Sequence, residues 1–394
     1  MRSVAVVGAS LAGLSAVRAL RRQGFEGRLV LVGGEPHRPY DRPPLSKDFL
    51  AGTLGEPDLA LEAEDEDLDV EWRLGSPAAG LEPSARTVRL RDGSAVEADG
   101  VVLATGAVPC RLPGSDGYDN VHVLRTLEDA VALREQLLPG RRLVVVGAGL
   151  IGLEVASTAR ALGVDVTVVD PHAAPLWAAL GPEVAGVVTA LHEGNGVRLL
   201  SGARVESLVG SGAGGVEGVQ LQDGRRIPAD LVLLAIGVRP AVDWLHGSGV
   251  QVDRRGVLCD GTGVSSIPDV VAVGDCSAWY DAEGADFRRE EHWTAARERA
   301  AVAVGSLLGG SAPASGRPPY FWSDQFGLRL QFAGRRRPGD DLVVEEGDPL
   351  DLDFLASYRR EGQTVGVVAF DRARSFTKWR RGLASPTAQQ VLPV

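Results

Sequence analysis

Residues 4–13 read VAVVGASLAG, and residues 143–152 read LVVVGAGLIG. Each stretch begins with an apolar run typical of a buried parallel strand, continues through a glycine-rich turn and enters a helical pattern. In such turns the first glycine permits the tight reversal, the second lets the backbone approach a pyrophosphate, and the third lets helix and strand pack closely. Two copies predict two Rossmann-like units in one chain, each with a dinucleotide site.

The two turns supply the first candidate binding residues. Their phosphate ligands are expected at the helix N-terminus, among unpaired N–H groups. Ser10 stands where the middle glycine is usual, and because serine is small we expect the phosphate approach to survive. An ordinary strand–turn–helix without a ligand is the alternative for either motif. The candidates are Gly8, Ser10, Leu11, Ala12 and Gly13 in the first turn, and Gly147, Gly149, Leu150, Ile151 and Gly152 in the second.

Each turn is followed by an acidic residue at the distance expected for a ribose ligand, about 20 residues further on. Glu35 comes after the apolar run 28–32, and Asp170 follows the run 164–169. Both carboxylates favour an adenosine with a free 2′-hydroxyl, because they repel a 2′-phosphate. At the second site this predicts NADH rather than NADPH. We expect His172 to weaken this preference for NADH.

The composition narrows the classes of function. The chain has 394 residues, of which 44% are hydrophobic and 5% aromatic, and its formal net charge is −11. This length predicts two or three domains, and the acidic balance argues against a nucleic-acid partner. No apolar run is long enough to span a membrane, and the first strand leaves no room for a signal peptide. We therefore expect a cytoplasmic protein.

Cysteine and lysine are both rare. Cys110, Cys259 and Cys276 are far apart and form no CxxC or CxxxxC motif. This spacing argues against a metal site and against a redox disulfide, so we expect three simple thiols. The chain has 39 arginines but only Lys47 and Lys378 as lysines. Because the two cations are not interchangeable, a lysine is informative here.

The pattern along the chain predicts an α/β fold with three domains. Strands that end in small residues are expected to meet ligands at their carboxyl ends. These strand ends are Ala104-Thr105-Gly106, Ile236-Gly237 and Gly274-Asp275. A Gly/Ser/Pro/Ala linker at 309–319 precedes alternating apolar and polar residues, which predict a C-terminal α+β domain with an antiparallel sheet and a terminal helix. The predicted domains are 1–112 with 237–312, then 113–236, then 313–394.

Five ordered motifs resemble the flavin-dependent ferredoxin reductases of bacterial oxygenase systems, within the wider glutathione-reductase-like family. The resemblance covers essentially the whole chain. It implies that the first turn, in 1–112 with 237–312, binds FAD and that the second turn, in 113–236, binds NAD(P)H. The motifs are the two turns, Arg42-Pro43-Pro44-Leu45-Ser46-Lys47, Val273-Gly274-Asp275, and Glu291-His292-Trp293 with Tyr320-Phe321-Trp322-Ser323-Asp324-Gln325.

The resemblance also implies roles for individual residues. Asp275 is similar to the family's ligand for the ribityl chain of FAD. Arg42 and Lys47 are similar to its flavin contacts, with Lys47 beside the isoalloxazine. A fixed cation there would stabilise the negative charge that arrives with a hydride. The remaining candidates for cofactor binding are Arg125, Glu291 and His292. We expect His292 to be structural, because hydride transfer needs no base.

Two further residues are candidates for the reaction itself. Glu154 is expected to form an active-site ion pair with Lys47; alternatively, it complements the dipole of the second helix. Trp293 is a candidate cover for the flavin, because a flat aromatic ring can shield it; alternatively, it is a core tryptophan.

The scattered cysteines bear on the reaction. Disulfide reductases of this fold pass electrons to a cysteine pair beside the flavin, and this chain has none there. We therefore expect electrons to leave singly to a [2Fe–2S] or [3Fe–4S] ferredoxin that serves a monooxygenase or a dioxygenase. Such ferredoxins are usually acidic, so a local basic face should steer docking. The candidates for this face are Arg335, Arg336, Arg337, Arg372, Arg374, Lys378, Arg380 and Arg381.

Other functions remain open at this point. One is a rubredoxin reductase or a quinone-reducing diaphorase. Another is a non-enzymatic flavoprotein that senses NADH and switches its association. The chain is expected to be a monomer or a homodimer, the latter through its C-terminal sheet.

Overall fold

The structure is a computed structural model that describes residues 1–63, 65–212, 214–282, 284–310 and 318–383. The described residues divide into two compact units, each built from three stretches of chain. Unit 1 contains those of Met1–Asp41, Leu59–Val108 and Val238–Gly316, and unit 2 contains those of Arg42–Asp58, Pro109–Gly237 and Arg317–Val394. Most of the predicted linker at 309–319 and the last part of 313–394 lie outside the described residues.

The described elements are as follows. The helices are α1 (Leu11–Arg22), α2 (Leu127–Gln136), α3 (Leu150–Ala161), α4 (Trp177–Gly194), α5 (Trp293–Leu307) and α6 (Ala373–Leu383). The strands are β1 (Ser3–Val7), β2 (Arg28–Val32), β3 (Val70–Arg73), β4 (Ala78–Glu82), β5 (Thr87–Leu90), β6 (Ala95–Glu97), β7 (Gly100–Leu103), β8 (Ala107–Pro109), β9 (Val121–His122), β10 (Arg142–Val146), β11 (Asp165–Asp170), β12 (Arg198–Ser201), β13 (Val205–Gly210), β14 (Val216–Leu221), β15 (Arg226–Pro228), β16 (Leu231–Leu234), β17 (Val238–Pro240), β18 (Val252–Asp253), β19 (Gly256–Cys259), β20 (Val270–Ala272), β21 (Ser277–Asp281), β22 (Asp286–Arg289), β23 (Tyr320–Gln325), β24 (Leu328–Gly334), β25 (Asp341–Asp348), β26 (Asp353–Arg360) and β27 (Gln363–Phe370). Among the helices of these described ranges, none combines the length and the hydropathy of a membrane-spanning segment.

Unit 1 is organised around a five-stranded parallel sheet in the order β20-β7-β1-β2-β3. The central strand β1 is buried from Val4 to Val7 and pairs in parallel with β2 and β7. Its continuous apolar run is typical of a strand covered on both faces. Helix α1 crosses from β1 to β2 and packs against α5. The first turn therefore begins the strand–helix–strand crossover that its sequence predicts.

Unit 2 contains a second parallel sheet with the same arrangement, in the order β12-β11-β10-β16-β9. Strand β10 takes the central place, with β11 and β16 on either side, and α3 is the crossover helix. The two parallel sheets confirm the predicted α/β class with two Rossmann-like folds. One detail differs, because Asp170 is the last residue of β11 rather than the residue after the strand.

The C-terminal part of unit 2 is a five-stranded antiparallel sheet in the order β23-β24-β27-β26-β25. Helix α6 packs on β24 and β27 through Phe376, which is 1% exposed. The alternating pattern of β24 and β27 places Ala333, Val367 and Ala369 in the same core as Phe376. This confirms the predicted antiparallel sheet and terminal helix.

Candidate functional site

The first glycine-rich turn is closed by backbone contacts within unit 1. Gly8 has a φ of +124°, and a Cβ added to it would lie 2.0 Å from the carbonyl oxygen of Ala104. A Cβ added to Gly13 would lie 1.8 Å from the carbonyl oxygen of Gly8. Only glycine fits either position, because β1, α1 and the end of β7 approach each other at backbone distance.

The N-terminus of α1 has the chemistry of an anion site. Its N-cap residue Ser10 makes no side-chain capping hydrogen bond, and the first turn, which begins at Leu11 and Ala12, has no acidic residue. The N–H groups there carry the positive end of the helix dipole. The arrangement fits a dinucleotide pyrophosphate.

The second turn repeats this construction in unit 2 with one informative difference. A Cβ on Gly147 would lie 2.3 Å from the carbonyl oxygen of Ala235, and a Cβ on Gly152 would lie 2.2 Å from that of Gly147. A Cβ on Gly149, in contrast, would meet nothing within 4 Å. Protein packing therefore does not require a glycine at this middle position, whereas the close approach of a phosphate does.

The two predicted ribose ligands already have partners from the protein. Glu35 Oε2 accepts a hydrogen bond from the Tyr40 hydroxyl at 2.5 Å. Asp170 Oδ2 accepts one from the Ala148 N–H at 2.7 Å, and Asp170 Oδ1 lies 2.8 Å from His172 Nδ1. Asp170 thereby ties the end of β11 to the second turn. The sequence did not indicate Tyr40 or Ala148, whose roles depend on the conformation of the loops.

Other predicted residues of unit 1 meet at the carboxyl ends of adjacent strands. β7 and β20 pair in parallel, so Ala104 and Thr105, after β7, lie near Gly274 and Asp275, after β20. Thr105 Oγ1 donates to the Ala241 carbonyl at 2.8 Å. This is the edge at which sheets of this class bind ligands. Gly106 also follows β7, and Ile236 and Gly237 follow β16 in unit 2.

Trp293 is the first residue of α5, and its position is held from two sides. Its indole Nε1 donates to Asp41 Oδ1 at 2.8 Å. The Arg297 guanidinium lies 4.6 Å from the ring centroid. The ring is half-buried rather than enclosed in the core, so the core interpretation does not hold. Its role as a flavin cover stays a prediction.

His292 and Glu291 precede that helix. Burial lowers the pKa of His292, although the carboxylates of Glu290 and Asp275 act in the opposite direction. The structural role of His292 stays a prediction. Glu291 forms an ion pair with Arg289.

The predicted ion pair between Lys47 and Glu154 forms within unit 2. Lys47 Nζ lies 2.6 Å from Glu154 Oε2, and the side chains are 14% and 5% exposed. Lys47 also donates to the Pro43 carbonyl at 3.0 Å. Glu154 is the fifth residue of α3, beyond the first turn in which a helix dipole acts. The dipole alone therefore does not account for Glu154.

Two serines complete the surroundings of this carboxylate. Ser46 Oγ donates to Glu154 Oε2 at 2.5 Å, and Ser323 Oγ donates to Oε1 at 2.6 Å. Both serines are buried. Ser46 and Ser323 both lie within motifs identified from the sequence, but no role was predicted for either serine. Sequence alone gave little signal for Ser323, because it lies in a strand that mixes aromatic and polar residues, and the two buried residues of that strand, Ser323 and Gln325, are both polar.

Comparison with known families supports these observations. A family model described as pyridine nucleotide-disulphide oxidoreductase matches residues 2–300. The chain belongs to the pyridine nucleotide-disulphide oxidoreductase family. A second model, described as reductase C-terminal, matches residues 320–391. Membership of this family implies the use of FAD and NAD(P).

Individual relatives place this oxidoreductase among the ferredoxin reductases, as its motifs predicted. It is 38% identical over 381 residues to the ferredoxin–NAD(+) reductase component of the biphenyl dioxygenase system of Paraburkholderia xenovorans, covering 95% of this chain and 91% of the relative. It is 39% identical over 380 residues to the ferredoxin reductase component of chlorobenzene dioxygenase of a Cupriavidus species, covering 95% and 90%. The crystal structure of a covalent putidaredoxin reductase–putidaredoxin complex matches with a TM-score of 0.92 at 33% identity, covering 97% and 93%.

The oxidoreductase differs from the disulphide chemistry in its family's description. Cys110, Cys259 and Cys276 are free thiols. Cys276 is fully enclosed, and burial raises its pKa. Burial also raises the pKa of Cys259.

Two other residues predicted to bind a cofactor contact each other in unit 2. The Arg42 guanidinium donates to the Arg125 carbonyl oxygen. The Arg125 N–H donates in turn to Asp129 Oδ2 at 2.9 Å, next to the N-cap of α2. Their contact with a cofactor stays a prediction.

Three of the predicted docking residues make contacts of their own in unit 2, and their part in docking stays a prediction. Arg336 lies against Gly181, whose added Cβ would be 2.6 Å from its guanidinium. Arg372 forms a 2.5 Å ion pair with a carboxylate of β26. The Arg380 guanidinium lies 4.0 Å from the centroid of the Tyr320 ring.

A smaller basic surface remains on α6. Arg374, Lys378 and Arg381 are exposed, and their spacing of four and then three residues places them on one face of the helix. We call these three residues the α6 basic stripe.

Proposed function

We propose that this oxidoreductase is an FAD-dependent ferredoxin–NAD(+) reductase, which takes a hydride from NADH and delivers electrons singly to an iron–sulfur ferredoxin. The observation that carries the proposal is the pair of glycine-rich turns in a chain whose three cysteines are free thiols. A protein with two dinucleotide sites and no disulfide acceptor passes its electrons to an external one. The dioxygenase systems named for its relatives support a ferredoxin that serves a dioxygenase or a monooxygenase.

In this proposal the residues of unit 1 hold FAD. The turn from Gly8 to Gly13 binds the pyrophosphate, Glu35 binds the adenosine ribose, and Asp275 binds the ribityl chain. When bound, FAD supplies a centre that accepts two electrons as a hydride and releases them one at a time. The support from the structure is the close-packed turn and the first helical turn of α1, which contains no acidic residue.

The second turn is proposed to hold NADH in preference to NADPH. Asp170 lies at the end of β11 and is 8% exposed. A carboxylate here accepts hydrogen bonds from ribose hydroxyls and repels a 2′-phosphate. The contact with His172 reduces that repulsion when the imidazole is protonated. We also propose that the protein is cytoplasmic and that it is a monomer or a homodimer.

Gly149→Ala is expected to raise the Kd for NAD(+) about 10-fold, with the free energy of unfolding within about 0.5 kcal/mol of wild type. The new methyl group meets no protein atom within 4 Å, but it occupies the space that the pyrophosphate needs. Calorimetric titration of the FAD-loaded protein measures the Kd. Gly186→Ala, in α4, is the matched control, because its Cβ also meets nothing. Unchanged affinity in Gly149→Ala would contradict the proposed phosphate position.

The electron acceptor is proposed to be an acidic [2Fe–2S] or [3Fe–4S] ferredoxin that docks on the α6 basic stripe. The complex of putidaredoxin reductase with putidaredoxin supports a partner of this kind. The stripe is a local cluster of positive charge in a chain of net charge −11, so it would orient an acidic partner toward one face.

Reversing two charges of this stripe, in Lys378→Glu/Arg381→Glu, is expected to raise the KM for ferredoxin about 10-fold at low salt and to leave kcat unchanged. The difference should shrink as ionic strength rises, because salt screens exposed charges. Steady-state electron transfer through ferredoxin to cytochrome c measures both constants. Arg91→Glu/Arg204→Glu makes the same change in net charge at two exposed arginines elsewhere. Equal effects of the two double variants would reject docking on α6.

The function is tested by anaerobic stopped-flow mixing of the yellow protein with NADH or NADPH, followed by oxidised ferredoxin. Rapid loss of flavin absorbance with NADH, slower loss with NADPH, and recovery on adding ferredoxin are expected. Recovery of flavin absorbance only with rubredoxin or a quinone would identify a rubredoxin reductase or a quinone-reducing diaphorase instead. Slow bleaching without recovery by any of these acceptors would identify an NADH-responsive sensor.

A further inference from the structure

The carboxylate of Glu154 is the meeting point of three hydrogen-bond donors in unit 2. Lys47 and Ser46 donate to its Oε2, and Ser323 donates to its Oε1 at 2.6 Å. The first two donors come from the segment after Arg42, and the third comes from β23 of the C-terminal sheet. One oxygen of the buried Glu154 carboxylate thus accepts from residues early in the sequence, and the other accepts from a residue late in the sequence.

The contact with Ser323 continues into a buried chain of polar groups. Gln325 Nε2 donates to Ser323 Oγ at 2.9 Å, and Gln325 Oε1 lies 2.8 Å from His192 Nε2. Ser323 and His192 are 0% exposed, and Gln325 is 3% exposed. The His192 ring also makes an edge contact with Phe326, at 5.0 Å between centroids. This hydrogen-bonded series of side chains runs from His192 in α4, through Gln325 and Ser323 in β23, to Glu154 in α3.

The donors and acceptors in this series of side chains allow only one direction of hydrogen bonding, from His192 toward Glu154. Because the amide oxygen of Gln325 only accepts, His192 Nε2 must carry the proton of that contact. His192 Nδ1 then holds a lone pair, consistent with its having no hydrogen-bond partner among the described residues. Ser323 accepts from Gln325, so its own proton goes to Glu154. Burial lowers the pKa of His192 and keeps the ring neutral.

The hydroxyl of Ser323 is not needed to attach β23 to α3. The Phe326 N–H, just after β23, donates to Ser157 Oγ of α3 at 2.7 Å. A separate bond, from Thr158 Oγ1 to the Ser46 carbonyl at 2.8 Å, attaches the segment that carries Lys47 to α3. Removal of the Ser323 hydroxyl would leave both attachments in place and change only the donors to the carboxylate.

We propose that Ser323, Gln325 and His192 are positioning residues, which orient the Glu154 carboxylate and through it the ammonium group of Lys47. This inference rests on the proposed function, because it assigns Lys47 a part in the transfer of hydride from NADH. The C-terminal sheet then contributes to the reductive half-reaction as well as to any partner surface. A correctly oriented charge pair matters because small displacements of reacting groups slow a reaction markedly.

The first test measures the rate constant for flavin bleaching by NADH in a double-mutant cycle of the FAD-loaded protein. Ser323→Ala is expected to lower this rate constant about 10-fold. In the Glu154→Gln background the same change should alter it less than about 2-fold, because no ionised carboxylate remains to be oriented. Effects that multiply, or wild-type kinetics in Ser323→Ala, would overturn the proposal.

The matched control is Ser357→Ala. Ser357 is also 0% exposed, lies in the same antiparallel sheet, and donates to a glutamate, Glu345, at 2.5 Å. Its removal is expected to change the bleaching rate constant less than about 2-fold. A loss as large as that of Ser323→Ala would mean that any buried serine of the sheet matters, and would reject a specific role for Ser323.

The second test does not depend on turnover. Gln325→Glu places a carboxylate between Ser323 and His192, so the Ser323 proton is drawn away from Glu154 and His192 becomes an imidazolium. Nitrogen-15 NMR of the six histidines, with His192→Gln to assign the signal, should show a neutral ring in wild type and a charged ring in Gln325→Glu at pH 7. A wild-type ring that carries its proton on Nδ1, or that is charged, would overturn the directed chain.

The two tests separate the inference from the proposed function. If NADH does not bleach the wild-type protein, the proposed function fails while the NMR result still reports on the chain. If bleaching is rapid and Ser323→Ala matches wild type, the function stands and the positioning role fails.

Discussion

Lys47→Met is expected to lower the free energy of unfolding by about 3 kcal/mol. Glu154 is 5% exposed and lies 2.6 Å from the Lys47 ammonium, so the variant leaves a buried carboxylate without its counter-ion. The two serine hydroxyls still donate to the carboxylate, but they do not neutralise its charge. Methionine keeps much of the aliphatic volume of lysine, so packing changes little. Denaturant unfolding of the FAD-saturated protein, followed by tryptophan fluorescence, gives the free energy.

The chain offers a matched control, because its other lysine is exposed on α6. Lys378→Met should change the free energy of unfolding by less than about 0.5 kcal/mol. Lys47→Met/Glu154→Gln should recover most of the loss, because it removes the unpaired charge together with the cation. If Lys47→Met were as stable as Lys378→Met, the pair would not be the buried interaction described here.

Gly13→Ala is expected to destabilise unit 1 by about 3 kcal/mol and to yield protein that retains little FAD. A Cβ at this position would lie 1.8 Å from the Gly8 carbonyl oxygen. The neighbouring atom is backbone, so no side-chain rotation relieves the overlap. Helix α1 must therefore move away from β1, which opens the turn proposed to hold the pyrophosphate. The ratio of flavin to protein absorbance after purification, together with thermal unfolding, measures both effects.

Gly186→Ala is the control that separates the effect of the steric overlap at Gly13 from the effect of replacing any glycine by alanine. Its Cβ meets nothing within 4 Å, and the residue lies inside α4. The change is expected to be neutral or to stabilise the protein by up to about 1 kcal/mol, because alanine is the better helix former. Full flavin content in Gly13→Ala would show that the turn tolerates more separation than its geometry implies.

The fold was predictable where its causes are local. The turns at Gly8 and Gly147 each predicted a strand, a crossover helix and a parallel neighbour, because the backbone needs glycine where a strand reverses tightly into a helix. The alternating apolar residues of β24 and β27 likewise predicted an antiparallel sheet. These features depend on a few adjacent residues, so one sequence suffices to infer them.

The partners of Glu154 were predictable only in part. Lys47 could be identified because it is one of two lysines and lies in a recognisable motif. Ser323, Gln325 and His192 could not, because their contacts depend on the register of β23 and on its distance from α3. That information is spread over the whole fold.

The charged surface was harder to predict than the core. Counting basic residues gave eight candidates for a basic face, but Arg336, Arg372 and Arg380 contact a glycine, a carboxylate and an aromatic ring. A sequence does not reveal which cations are neutralised or covered by residues far along the chain. The α6 basic stripe could be separated from them only by exposure.

The assembly of unit 2 from three stretches of chain sets a timetable for its biosynthesis. Ser323 leaves the ribosome 169 residues after Glu154, a delay of roughly 10 to 30 s at common elongation rates. Through that interval a nascent chain can join Lys47 to Glu154, while one oxygen of the carboxylate awaits its last donor. Unit 1 can complete its parallel sheet earlier, because β20 and α5 precede the C-terminal strands. Translation therefore orders the molecule so that the Glu154 site is finished after the parallel sheet of unit 1.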